Sequence, residues 1–130
     1  MKVSRNFLKR KKAINVENED RWELTDEGFD LLKDISDVDA FELDVWETTD
    51  ELATLLLRKH QDYGPKNISQ SPGGPLNGLR VRMWDKVARI NNLIDSGNTP
   101  ENESLEDSFK DLANYSIIAL MVLRGKWPQE

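Results

Sequence analysis

The sequence has no cysteine and a single histidine, His60. Disulfides, a thiolate nucleophile and a Cys-type zinc site are therefore excluded. Positive charge is also short: 18 Lys and Arg stand against 24 Asp and Glu, a net charge of −6. That balance argues against nonspecific nucleic-acid binding through a broad basic surface, though it leaves room for a local phosphate site. No apolar run reaches the roughly 18 residues of a membrane span, and the basic opening MKVSRNFLKRKK lacks the apolar stretch of a signal peptide. The expectation is a cytoplasmic protein without membrane attachment and without nucleic acid as a partner. What is present is 130 residues, 38% of them hydrophobic. This suffices for one domain with a real core plus an appendage.

The first 40 residues differ in character from the rest. A basic run (Lys9, Arg10, Lys11, Lys12) precedes INVENEDRWEL, where Ile14 and Val16, then Trp22 and Leu24, alternate around the turn-forming ENED. This predicts a hairpin. Thr25 or Asp26 then caps a short helix carrying Phe29, Leu32 and Ile35. RWELTDEGFDLL also resembles the closing strand-to-helix stretch of winged-helix proteins, but about 40 residues are too few for a whole one, and a packing or dimerisation appendage is the reading adopted. The domain expectation is 1–40 appendage and 41–130 helical domain.

In that domain TTDE places Thr48 three residues before Glu51, the spacing of a capping box, so the first long helix is predicted to start at Thr48 and to stop at Gly64 and Pro65. GPKNISQSPGGPLNG is too rich in Gly, Pro, Ser and Asn for a core element and reads as a long loop. A second helix, about 76–95, sets Met83, Val87, Ile90 and Ile94 on one face, and a third starts between Pro100 and Ser104 and runs to about Arg124.

The third helix is the most apolar, yet Asp107, Asp111 and Asn114 fall on one stripe of it, because positions three or four apart share a helix face. A buried ionised carboxylate is costly unless paired or metal-bound. Either the stripe lines a wet cleft or it holds a cation. Counting back from a turn near Asn98 puts Asp85 level with Asp111, so three carboxylates are expected to converge. Hard oxygen ligands without Cys suit Mg²⁺ or Mn²⁺, and Arg82, Lys86 and Arg89 beside them suit a phosphate chain. Each element also has a bland reading. Ser104 and Asp107 stand at capping-box spacing, Asp85 and Arg89 at the spacing of a surface ion pair, and Glu51 and Glu103 are open between ligand and cap.

KHQDYG (59–64), VRMWDKVARI (81–90) and ESLEDSFKDLANY (103–115) together resemble the nucleotide modification associated domain family of phage and bacterial proteins. That family in turn looks like the MazG-like all-α nucleoside triphosphate pyrophosphatases. The resemblance implies an all-α, MazG-like helical bundle that converts a (d)NTP to (d)NMP and pyrophosphate with Mg²⁺ or Mn²⁺. It further implies Asp85, Asp107 and Asp111 as metal ligands and catalytic groups, Lys59, Lys86 and Arg89 on phosphate, and Asp62, Tyr63 and Asn114 on sugar or base. The MazG-like pattern has E-x-x-E and E-x-x-D, whereas Asp107 and Asp111 are four apart and Arg82 and Asp85 replace two acids, which leaves the number of metals open. A homo-oligomer, dimer or tetramer, is expected because three long helices cover each other poorly. For a phage-encoded protein the location would be the host cytoplasm. The rival reading is a catalytically inactive helical module that binds a protein partner or DNA through its N-terminal appendage.

Overall fold

A computed structural model describes residues 14–18, 21–26 and 39–130. Strands β1 (Ile14–Asn18) and β2 (Arg21–Leu24) pair antiparallel, Ile14 opposite Leu24 and Val16 opposite Trp22, with a register irregularity between Val16 and Asn18. The expected short helix of Phe29, Leu32 and Ile35 and the basic run Lys9 to Lys12 lie outside the described residues.

Asp39 opens the first helix, α1 (Ala40–Tyr63). Its carboxylate accepts from the Phe41 N–H at 2.9 Å and its carbonyl from the Leu43 N–H at 3.1 Å, so two of the donors left free at a helix start are satisfied. The expected start at Thr48 is thereby corrected. Thr48 sits well inside the helix and its hydroxyl donates back to the Asp44 carbonyl at 2.7 Å, the alternative use of a threonine in mid-helix. Glu51 likewise lies inside the helix. The chain falls into two compact units, 1–51 and 52–130, and the boundary lies within α1.

In the second unit α1 ends at Tyr63, where Gly64 takes φ +65 and donates to the His60 carbonyl. The following segment is more than a loop. Residues Lys66–Ser69 form one helical turn, α2, that sinks Ile68 into the core at 2% exposure. A single apolar residue among Gly, Pro and Ser was too weak a signal to show this. Gly73 and Gly74, both at positive φ, lead into Pro75 at the first turn of α3 (Pro75–Ser96). Gly78 is required by close approach, since a Cβ there would lie 1.9 Å from the Ser71 hydroxyl. Gly97, in the left-handed region, closes α3 by donating to the Leu93 carbonyl. Ser104 and Asp107 form a full capping box at the start of α4 (Leu105–Leu123).

Helices α3 and α4 lie antiparallel: Arg89 reaches the start of α4 at Ser104 and Ser108, while Leu79, early in α3, shares a core with Ile118, late in α4. That core is Ile68, Leu79, Ile118 and Trp127, flanked by Leu56, Tyr115, Ala119, Met121 and Val122. Trp127 enters it because Gly125, at positive φ, turns the chain back, and its indole N–H donates to the Pro65 carbonyl at 3.1 Å. Of the apolar face expected on α3, Ile90 is buried but Ile94 is 59% exposed, since α3 outruns its neighbours near the α3–α4 turn. Among the described residues no helix is long and apolar enough to cross a membrane.

Candidate functional site

Four residues of α4, at 107, 111, 114 and 118, form the stripe that the helical period requires. Each has a different fate. Asp107 is exposed and its carboxylate accepts from the Ser104 N–H at 3.2 Å, completing the capping box. Asp111 is 8% exposed, and each of its carboxylate oxygens faces an ammonium group: Lys59 of α1 at 2.8 Å and Lys86 of α3 at 2.9 Å. Asn114, 6% exposed, donates to the Leu52 carbonyl at 3.1 Å. Ile118 belongs to the core.

The Lys59–Asp111–Lys86 clamp joins all three long helices at one point. Burial alone would raise the Asp111 pKa, but the hydrogen bonds from Lys59 and Lys86 outweigh it and hold the carboxyl below its ordinary value. The Lys59 ammonium is raised above its usual range chiefly by its hydrogen bond to Asp111. At Lys86 burial pulls the other way, yet the bonds to Asp111 and Glu103 together win and the net shift is upward. The exposed Glu103 carboxylate accepts from Lys86 at 3.1 Å.

The expected convergence of Asp85, Asp107 and Asp111 is corrected by this arrangement. Asp85 is exposed, one residue before Lys86 on α3, Asp107 caps its own helix, and Asp111 has both oxygens on lysines. Among the described residues no three acidic or histidine side chains gather as a group able to hold a metal ion. Arg89, expected on phosphate, is bonded within the protein. Its guanidinium donates to the Glu103 carbonyl, to the Ser104 carbonyl at 3.2 Å and to the fully buried Ser108 hydroxyl at 2.5 Å. It ties α3 to the start of α4 instead of pairing with Asp85.

Beside the clamp lies a cleft of about 350 Å³ lined by residues of α1, α2, α3, α4 and the C-terminal turn. Of the residues expected at the site, Lys59, Tyr63, Asp111 and Asn114 line it; Asp62, Asp85, Lys86, Arg89 and Asp107 do not. Arg82 lines it too, anchored through one guanidinium nitrogen to the Asn67 carbonyl at 2.9 Å. Aromatic rings form much of the remaining wall: Tyr63, Tyr115 and Trp127, with His60 standing edge-on to Trp127 at 5.2 Å and 76°. Three buried polar atoms there have no hydrogen-bond partner among the described residues: His60 Nδ1, Arg82 Nη1 and Asn114 Oδ1. Asn67 and Trp127 escaped the sequence reading. The only signal for Trp127 is a lone tryptophan just past a helix-ending glycine.

The sequence pattern of nucleotide modification associated domain 1 matches residues 59–123, half of the chain. The chain belongs to that family. No curated protein and no solved structure matches it. The nucleotide modification associated domain 1 here begins at Lys59, the α1 arm of the clamp, and ends with α4. Lys86, Asp111, Arg82 and Asn114 all fall within it, whereas Trp127, which closes the cleft, lies beyond it.

Proposed function

We propose that this nucleotide modification associated domain 1 binds a nucleoside phosphate in the cleft and serves the conversion of a (d)NTP to (d)NMP and pyrophosphate. One observation carries the binding half: His60 Nδ1, Arg82 Nη1 and Asn114 Oδ1, buried and unpartnered, all belong to residues lining the same cleft. Desolvated polar atoms are costly unless something completes their bonding. Arg82 and Lys59 supply donors and charge for phosphate oxygens. Tyr63, Tyr115 and Trp127 supply flat apolar faces for a base. Tyr63 is 69% exposed, as a residue at the mouth of a cleft would be.

The hydrolytic half rests on the resemblance of the three motifs to MazG-like all-α pyrophosphatases, where acidic residues on adjacent helices hold Mg²⁺. Asp107 and Asp111 are engaged within the protein. The chain's own contribution is to bind and orient: Asp111 fixes Lys59 beside the cleft, and Arg82 is held by Asn67. A nucleotide-binding module without hydrolysis is the second reading, favoured by the lysines on Asp111.

The test is a titration of the common NTPs and dNTPs by calorimetry in EDTA, in Mg²⁺ and in Mn²⁺, with pyrophosphate release followed in parallel. Binding with release supports the full reading. Binding without release under any metal leaves the module. Absence of binding in all three conditions rejects the cleft as a nucleotide site.

A further inference from the structure

Asn114 is held by α4 beside α1, and its side chain has two chemically different ends. The Nδ2 end donates to the Leu52 carbonyl at 3.1 Å. A carbonyl offers only acceptor lone pairs, so the opposite rotation of the amide would set two acceptors against each other. The amide is therefore locked, with Oδ1 as the end left over. That oxygen is buried without a partner among the described residues, on a residue 6% exposed that lines the cleft.

The surroundings make this acceptor unusual. Lys59 and Arg82 bring donors, Tyr63 and Tyr115 bring hydroxyls, and Asp111, the one carboxylate lining the cleft, has both oxygens on lysines. The cations suit acceptors such as phosphate oxygens. Asn114 Oδ1 suits the opposite: a neutral N–H or O–H. We infer that Asn114 is a specificity-determining residue whose locked amide oxygen accepts a hydrogen bond from a neutral donor group of the bound nucleotide. The inference rests on the nucleoside-phosphate reading of the cleft and adds the polarity of the group that must face α4. A ligand without a donor at that point leaves the oxygen dry and unpaired, which is the strongest form of discrimination a neutral contact supplies.

Two parts of a nucleotide carry such donors, the N–H groups of the base and the hydroxyl of the sugar. The experiment separates them. The tightest-binding dNTP is compared by calorimetry with its 3′-deoxy counterpart and with a form whose base N–H positions are all methylated. The comparison is made in the wild-type chain and in Asn114→Ala. With the wild type, one of the two analogues is expected to lose at least about tenfold in affinity, one unpaired buried group's worth. In Asn114→Ala the same analogue and its parent should bind alike. If Asn114→Ala does not fold, the wild-type series still decides: two analogues that both bind as tightly as the parent overturn the inference, while the nucleotide reading survives. If no dNTP binds the wild type, the series is run on the tightest-binding NTP with its 2′- and 3′-deoxy forms, and if no NTP binds either, the nucleotide reading fails and the inference falls with it.

Discussion

Asp111 shows how a residue can be found by sequence while its partners in the protein are not. Its place on one stripe with Asp107 and Asn114 follows from helical period alone, and its burial was the reason to expect a cation. The cations are lysines, one of them 52 positions away in sequence, and no local pattern announces a partner at that range. Replacing the carboxylate tests the clamp. Asp111→Asn presents an amide nitrogen to one of two ammonium groups, and the expected cost is roughly 1–3 kcal/mol of unfolding free energy, toward the lower end because solvent screens the half-exposed Lys59. Urea denaturation measures it. An Asn variant as stable as wild type would show the clamp to be ornamental.

The same three groups set a pH dependence. Asp111 titrates below the ordinary 3.8 in the folded chain, so its contribution is present above that value and fades as pH falls through the folded pKa. Lys59 and Lys86 titrate above 10.5, so theirs is full below that value and fades as pH rises through their folded pKa values. Stability from the clamp is therefore flat across neutrality, with losses only below about pH 3.8 and above about pH 10.5. Thermal melts carried below the folded pKa of Asp111 should bring wild type and Asp111→Asn together, because wild type has then lost its carboxylate as well.

Helix boundaries were legible wherever a backbone requirement stood behind the signal. Gly64, Gly97 and Gly125 all take positive φ where α1, α3 and α4 end, and Ser104 opens α4 with both bonds of the capping box. The start of α1 was not, because TTDE matches the capping pattern formally while Asp39, nine positions earlier, satisfies the actual free N–H groups. The two sites make opposite predictions for similar changes. Ser104→Ala removes a cap and should cost about 1 kcal/mol. Thr48→Ala, in mid-helix and exposed, should stay within about 0.5 kcal/mol of wild type. Parallel chemical denaturation of the two variants distinguishes them. The burial of Ile68 by α2 was illegible for another reason: one turn has no period, and only the tertiary contact with Leu79, Ile118 and Trp127 makes that turn a core element.

At the scale of the whole chain, the site and the N-terminal segment make separable demands. Among the described residues, those lining the cleft lie between Leu56 and Trp127, and the cap of α1 is supplied by Asp39 itself. A chain beginning at Asp39 is therefore expected to fold and to bind nucleotide with unchanged affinity. Assembly is the complicating factor. Trp84, Phe109 and Leu123 are 64%, 50% and 67% exposed, and the expected dimer or tetramer would cover such groups. Light scattering on full-length and shortened chains, run beside calorimetric nucleotide titrations, resolves the alternatives. An equal number of chains per particle with equal binding places the function in the helical domain. Fewer chains per particle with loss of binding makes the site dependent on a neighbouring copy. An equal number of chains with lost binding would put an essential contact in residues 1–38 and would count against a cleft whose walls, among the described residues, are supplied by residues 56–127.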